Sequence, residues 1–342
     1  MTASGTSGQF SAEDLELLER ASGWQHYPDL LNCTPGRLSE VAKTHGLDFA
    51  TAVLYDRVLQ HPVHRSFFER VSAGGESSVT KPLLVGIIPG AFYLEHSNTG
   101  ADGARIVEIF KSLHCPCELV PVGSFGSLAH NASLIADWLT KHVQNRVMLV
   151  SLSKGGADLK MTMSRPDASE LFRNVVSWVS LSRLPQGTPL VAWLRGQRLR
   201  RLGVRLWLWL HRQRYHVVEE LRHESGGPLT GWPAVPSHLR VIHIAGFPLR
   251  RHLAHPWAHR AYERLAPLGP NDGGGVLLGS LTMLPGVVFP VWGADHYLQP
   301  TWDVVPTFRR ILASALSSED EWRQATRSAK QPINAPASRS TA

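Results

Sequence analysis

Cysteine is scarce in this chain: 342 residues contain three, Cys33, Cys115 and Cys117. That number is too small and too odd for a secreted disulfide framework. Cys115 and Cys117 stand one residue short of a C-x-x-C redox pair and have no partner pair. Long apolar runs are missing too. Stretches such as 147–150 and 287–292 are under ten residues, well short of the roughly 20 needed to cross a bilayer. The opening MTASGTSGQF has neither a basic start nor an apolar centre, so no signal peptide is expected there. The closing SRSTA carries no prenylation or retention signal. A soluble, cytoplasmic protein is the expectation. No Walker or dinucleotide glycine motif, zinc-finger spacing or internal repeat is present, so no metal and no cofactor is expected.

What is present is a globular composition. Hydrophobic residues make up 43%, and 29 Gly with 23 Pro make the chain turn-rich without making it low-complexity. Disordered and fibrous classes are thereby excluded. Lys and Arg outnumber Asp and Glu by 35 to 28, a net charge of +7. The excess is local: Arg195, Arg198, Arg200, Arg201, Arg205, Arg212 and Arg214 crowd one segment. No basic residues interleave with aromatics in the RNA-binding manner, so no nucleic acid partner is expected.

The pattern divides the chain. Residues 1–80 read as an N-terminal helical region. Ser11 and Asp14 have capping-box spacing, a second helical pattern runs over 37–71 with a break near 61–62, and 72–80 is a Gly/Ser-rich loop. Short apolar runs then appear at 82–88 (PLLVGII), 117–122 (CELVPV), 146–152 (RVMLVSL) and 175–181 (VVSWVSL), with helical stretches at 102–113 and 127–143 between them. Apolar strand, helix, apolar strand is the pattern of parallel βαβ units buried on both faces. It resumes at 240–245, followed by helices at 256–265 and 307–316 and a last run at 286–292. The reading is an α/β protein: a first core part over 81–188, an inserted helical cap over 189–238, a second core part over 239–325, and a disordered tail over 326–342.

The segment VMLVSLSKGGA (147–157) places Ser153 where a strand-like run meets a helical stretch. A nucleophile elbow needs this setting, because the sharp turn lifts the central side chain above the sheet and tolerates only small residues two before and two after it. Here they are Ser151 and Gly155, with Ser where G-x-S-x-G has its first Gly. Over about 82–300 the chain resembles the α/β-hydrolase superfamily in its lipase and esterase branch. The resemblance implies a mostly parallel sheet flanked by helices and a triad in the order Ser, acid, His. It makes Ser153 the nucleophile. His296, in Gly-Ala-Asp-His after the last apolar run, becomes the base. Asp272, in Asn-Asp-Gly, becomes the acid, although it lies 27 residues beyond Ala245. Asp295 is the rival acid. Its neighbouring position points it away from His296. The oxyanion donors implied are the backbone N–H of Lys154 and, in Pro-Gly-Ala-Phe-Tyr (89–93), that of Ala91, with Phe92 as the alternative.

The function implied is hydrolysis of a small-molecule or lipid ester, or of a thioester, with an apolar acyl group. An acyltransferase or biosynthetic thioesterase using the same triad is an alternative, as is a catalytically silent scaffold that binds a lipid or a partner. His252, His255 and His259 have spacings that a helix would align, but they read as a solvated helix face and not as a zinc site. Within the insert, 204–210 (VRLWLWL) predicts one apolar and one basic face. That is a cap helix packed over the core with solvated arginines, or an acyl-pocket roof in peripheral contact with anionic membranes.

Overall fold

The computed structural model describes residues 10–73, 83–96, 99–182, 184–224, 226–231, 233–281, 286–298 and 305–315. The Gly/Ser-rich loop expected at 72–80 and the tail expected at 326–342 lie largely or wholly outside them. Four helices come first: α1 (Ala12–Ser22), α2 (Pro35–His45), α3 (Leu47–Gln60) and α4 (Pro62–Ala73). The capping box opens α1, with Asp14 N–H donating to Ser11 Oγ and Ser11 N–H to the Asp14 carboxylate. The helical pattern expected over 37–71 is cut near 61–62, as read, and a second time at residue 46. Gly46 ends α2 at φ 92°, a conformation that favours glycine, and His61 ends α3 just before Pro62.

Six strands follow: β1 (Leu84–Ile88), β2 (Cys117–Leu119), β3 (Val147–Leu152), β4 (Val175–Leu181), β5 (Arg240–Phe247) and β6 (Val287–Trp292). All pair in parallel, in the order β2-β1-β3-β4-β5-β6. The run expected at 117–122 shortens to three residues because β2 is an edge strand, half to fully exposed along its length. The other strands are apolar and almost wholly buried because helices cover both faces.

On one face α4, α5 (Ala104–Ser112) and α14 (Val305–Ala315) bring Phe67, Phe110, Phe308 and Ile311 against Ile87, Val150 and Ile244. On the other, α6 (Leu128–Lys141) and α7 (Lys154–Met163) set Ile135, Trp138 and Leu159 against Leu84, Leu149 and Val241. The short α8 (Ala168–Leu171) leads into β4. Helices α1 to α3 pack together over the β6 edge, through Phe49, Val53 and Tyr55 against Phe247 and Trp292.

Between β4 and β5 the rhythm breaks into three helices where the cap was expected: α9 (Pro189–Arg195), α10 (Arg198–Leu210) and α11 (His216–Glu220). Helices α12 (Pro256–Leu265) and α13 (Leu277–Leu281) lie between β5 and β6. Among the described residues no helix is long and apolar enough to cross a membrane.

Candidate active site

The turn from β3 into α7 is tight. Ser153, the residue between them, has φ 47° and ψ −115°. A non-glycine residue held there carries strain of about 1–3 kcal/mol, sustained only where its surroundings over-determine it. Here Ser153 N–H donates to Leu181 O at the end of β4 (3.0 Å). Gly155 is enforced by space, since a Cβ would fall 2.6 Å from the carbonyl oxygens of Ile88 and Pro89. Ser151 stands two residues before the turn because it has a partner: its Oγ accepts from Trp178 Nε1 at 2.9 Å.

Ser153 Oγ lies 2.9 Å from His296 Nε2. His296 lies four residues after β6, and its Nδ1 is 2.9 Å from Asp272 Oδ2. The other oxygen of Asp272 accepts from the N–H groups of Gly274 and Gly275, each at 2.8 Å. All three side chains are buried. The structure thus brings together the three residues that the sequence analysis singled out, although 143 positions separate Ser153 from His296.

Burial alone pushes the Asp272 carboxyl up, but the facing imidazole and the two glycine N–H groups outweigh it, and the net direction is down. Burial likewise presses His296 down, and the Asp272 and Asp295 charges reverse it, so its affinity for a proton is raised. With Asp272 ionised, the proton of a neutral His296 sits on Nδ1 and leaves Nε2 as the acceptor facing Ser153. Asp295 turns elsewhere: its Oδ1 accepts from Tyr297 N–H at 2.9 Å. The distance of Asp272 from β5 is taken up by α12 and the short helical turns on either side of it.

Lys154 opens α7, so its backbone N–H lies directly beside Ser153. Its side chain runs the other way, into a buried pair with Asp158 (Nζ to Oδ1 2.6 Å, to Oδ2 2.9 Å) that Asn131 Nδ2 completes at 2.9 Å. Ala91 begins the turn after β1. The N–H of its alternative, Phe92, is spent on Ser124 O at 2.9 Å.

Several residues at the site escaped the sequence reading. Gly274 is one: a Cβ there would sit 2.3–2.5 Å from the His296 ring. The run of three glycines after Asp272 is the signal that points to it. Thr188, whose Oγ1 donates to Gly274 O at 2.6 Å, has no such signal. The histidine trio is not a solvated helix face. His252 lies in a short turn ahead of α12, half-buried against Asp14, and His255 stacks on Trp257. Among the described residues no group of three or more His, Cys, Asp or Glu could hold a metal ion.

A cavity of about 540 Å³ opens at Ser153 and His296 beneath the inserted helices, with Phe92, Phe125, Leu190, Leu194 and Trp207 in its wall. A smaller one of about 290 Å³ meets the same pair from the α5 and α14 side, between Ile106, Leu181 and Phe308.

Strand order, parallel pairing and the strained serine after β3 make this an α/β-hydrolase fold. No family model and no curated protein sequence matches the chain. Solved structures similar to it include a metagenomic carboxyl esterase, MGS0156 (18% identity, 73% of this chain and 74% of that one, TM-score 0.49). The mature form of Bacillus licheniformis lipase BlEst2 is another (15%, 66% and 87%, TM-score 0.45). A third is the Legionella pneumophila phospholipase PlaB (12%, 72% and 62%, TM-score 0.45).

Proposed function

We propose that the chain is a serine hydrolase of carboxylic esters with apolar acyl groups. The observation that carries this reading is the relay Ser153 Oγ, His296, Asp272, with both links at 2.9 Å, set at a strained strand-to-helix turn. Ser153 Oγ attacks the acyl carbonyl as His296 Nε2 takes its proton. Asp272 holds the imidazole with Nε2 toward the serine and stabilises the imidazolium that forms. The tetrahedral oxyanion is met by the N–H groups of Lys154 and Ala91. Collapse expels the alcohol, protonated by His296. Water then attacks the acyl-serine by the same route and releases the acid.

The strain at Ser153 supports an active site over an inert scaffold, because strained backbone of this kind clusters at active sites. The apolar wall of the larger cavity supports an acyl group as the part that is buried. A fluorophosphonate probe should label the wild type and not Ser153→Ala. Hydrolysis of nitrophenyl esters should fall by about 10⁶-fold in that variant. Labelling or turnover that survives the substitution in a folded protein would remove Ser153 from the reaction.

A further inference from the structure

Helix α10 carries two apolar faces, not one apolar and one basic. Its inner face, Val204, Trp207 and Leu208, belongs to the cavity wall. Its outer face is open: Leu199 is 85% exposed, Leu202 65%, Leu206 56%, Trp209 71% and Leu210 63%. At 100° per residue these five fall in an arc of about 100°, opposite the inner face. They account for half of the large exposed hydrophobic side chains among the described residues, so the exposure is concentrated and not scattered.

Charge decides what fits this stripe. No Asp or Glu occurs between Glu170 and Glu219. Arg198, Arg200, Arg201, Arg205, Arg212 and Arg214 lie on or just after α10, and none forms an ion pair among the described residues. Arg195 alone is paired, to Glu219 and Glu224. A second copy meeting this helix across a two-fold axis would set unneutralised arginines against arginines. A surface that accepts leucine and tryptophan while supplying negative charge suits both features.

We propose that the outer face of α10 docks the protein on an anionic lipid bilayer, with Leu199, Leu202, Leu206, Trp209 and Leu210 entering the headgroup–acyl boundary and the arginines meeting lipid phosphates. Because α10 also walls the cavity at Ser153, docking sets that cavity against the lipid. This places the ester substrates of the proposed reaction among membrane lipids, and it rests on that reading only for this last step.

The test is co-sedimentation of the full chain with vesicles of phosphatidylcholine alone or mixed with phosphatidylglycerol. Binding should require phosphatidylglycerol and weaken at high salt. Leu202→Ser with Leu206→Ser should reduce partition at least about tenfold. Arg198→Gln should reduce it roughly fivefold, as expected for one charge near an anionic surface. Both variants should keep wild-type hydrolysis of a soluble short-chain nitrophenyl ester. Absent or charge-indifferent binding overturns the proposal, as does a dimer in sedimentation velocity that the leucine substitutions dissolve. Vesicle binding without any esterase activity would uphold the docking face and reject the proposed reaction, so the two readings fail separately.

Discussion

At the scale of single residues, the proposal assigns different roles to two aspartates that a sequence alone leaves in competition. Asp272 bonds His296 and Asp295 bonds the Tyr297 backbone. Asp272→Asn should therefore cost turnover about 10⁴-fold, and Asp295→Asn far less. The two also differ in pH dependence. Only neutral His296 can take the serine proton, so kcat/KM should rise with pH through the imidazole pKa, which the two carboxylates hold above the ordinary 6.5. Removing the Asp295 charge should move that midpoint down while the plateau stays near wild type. A midpoint that rises, or a plateau that collapses as in Asp272→Asn, would exchange the two roles. Gly274 gives a steric test. Its missing Cβ is the space the His296 ring occupies, so Gly274→Ala should displace the ring and lower kcat by at least about 10²-fold. Thermal denaturation should show that the fold persists.

The elements differ in how much of them can be read from sequence. Strand β3 and the turn after it are legible because an apolar run ends abruptly in small residues, and only a strand-to-helix turn needs that combination. Helix α12 is legible to the residue, since Pro256 marks its first turn. The boundary between α2 and α3 is not, because the apolar spacing continues across Gly46 while its backbone does not. The polar support under α7 is illegible for another reason. Lys154 and Asp158 are four apart and could form an ordinary exposed pair, but nothing in the sequence says that Asn131, on α6, closes the network from the other side. Buried as it is, the pair is expected to matter. Asp158→Asn leaves the Lys154 ammonium without its counter-charge at the base of the elbow, and should destabilise the protein by about 3–5 kcal/mol in denaturant melts. A loss near zero would mean that water reaches the lysine.

For the whole molecule, the question is how firmly the inserted helices belong to the core. They are tied at several points. Lys160 Nζ, on α7, donates to Pro185 O, just before the insert, and to Leu229 O, within it and beyond its last helix, at 2.7 and 2.5 Å. Glu220 accepts from Leu128 N–H at the start of α6 (2.8 Å), and Gln213 Nε2 reaches Glu95 at 3.0 Å. The roof over the large cavity is therefore built into the domain, and its shape should set which acyl groups fit. Trp207 and Trp209 separate this role from surface exposure. Two residues apart on α10, they point about 200° away from each other. Trp207 packs edge-on to Phe92, which in turn stacks on Phe125 within the cavity wall. Trp209 faces outward. Trp207→Ala should enlarge the cavity and change KM across a series of nitrophenyl esters of increasing acyl length, with most effect on the long chains that reach it and little on acetate. Trp209→Ala should leave the whole series at wild-type values, since the soluble assay never engages the outer face. If the two variants share one chain-length profile, α10 does not line the acyl path, and the acyl group must lie instead in the smaller cavity between α5 and α14.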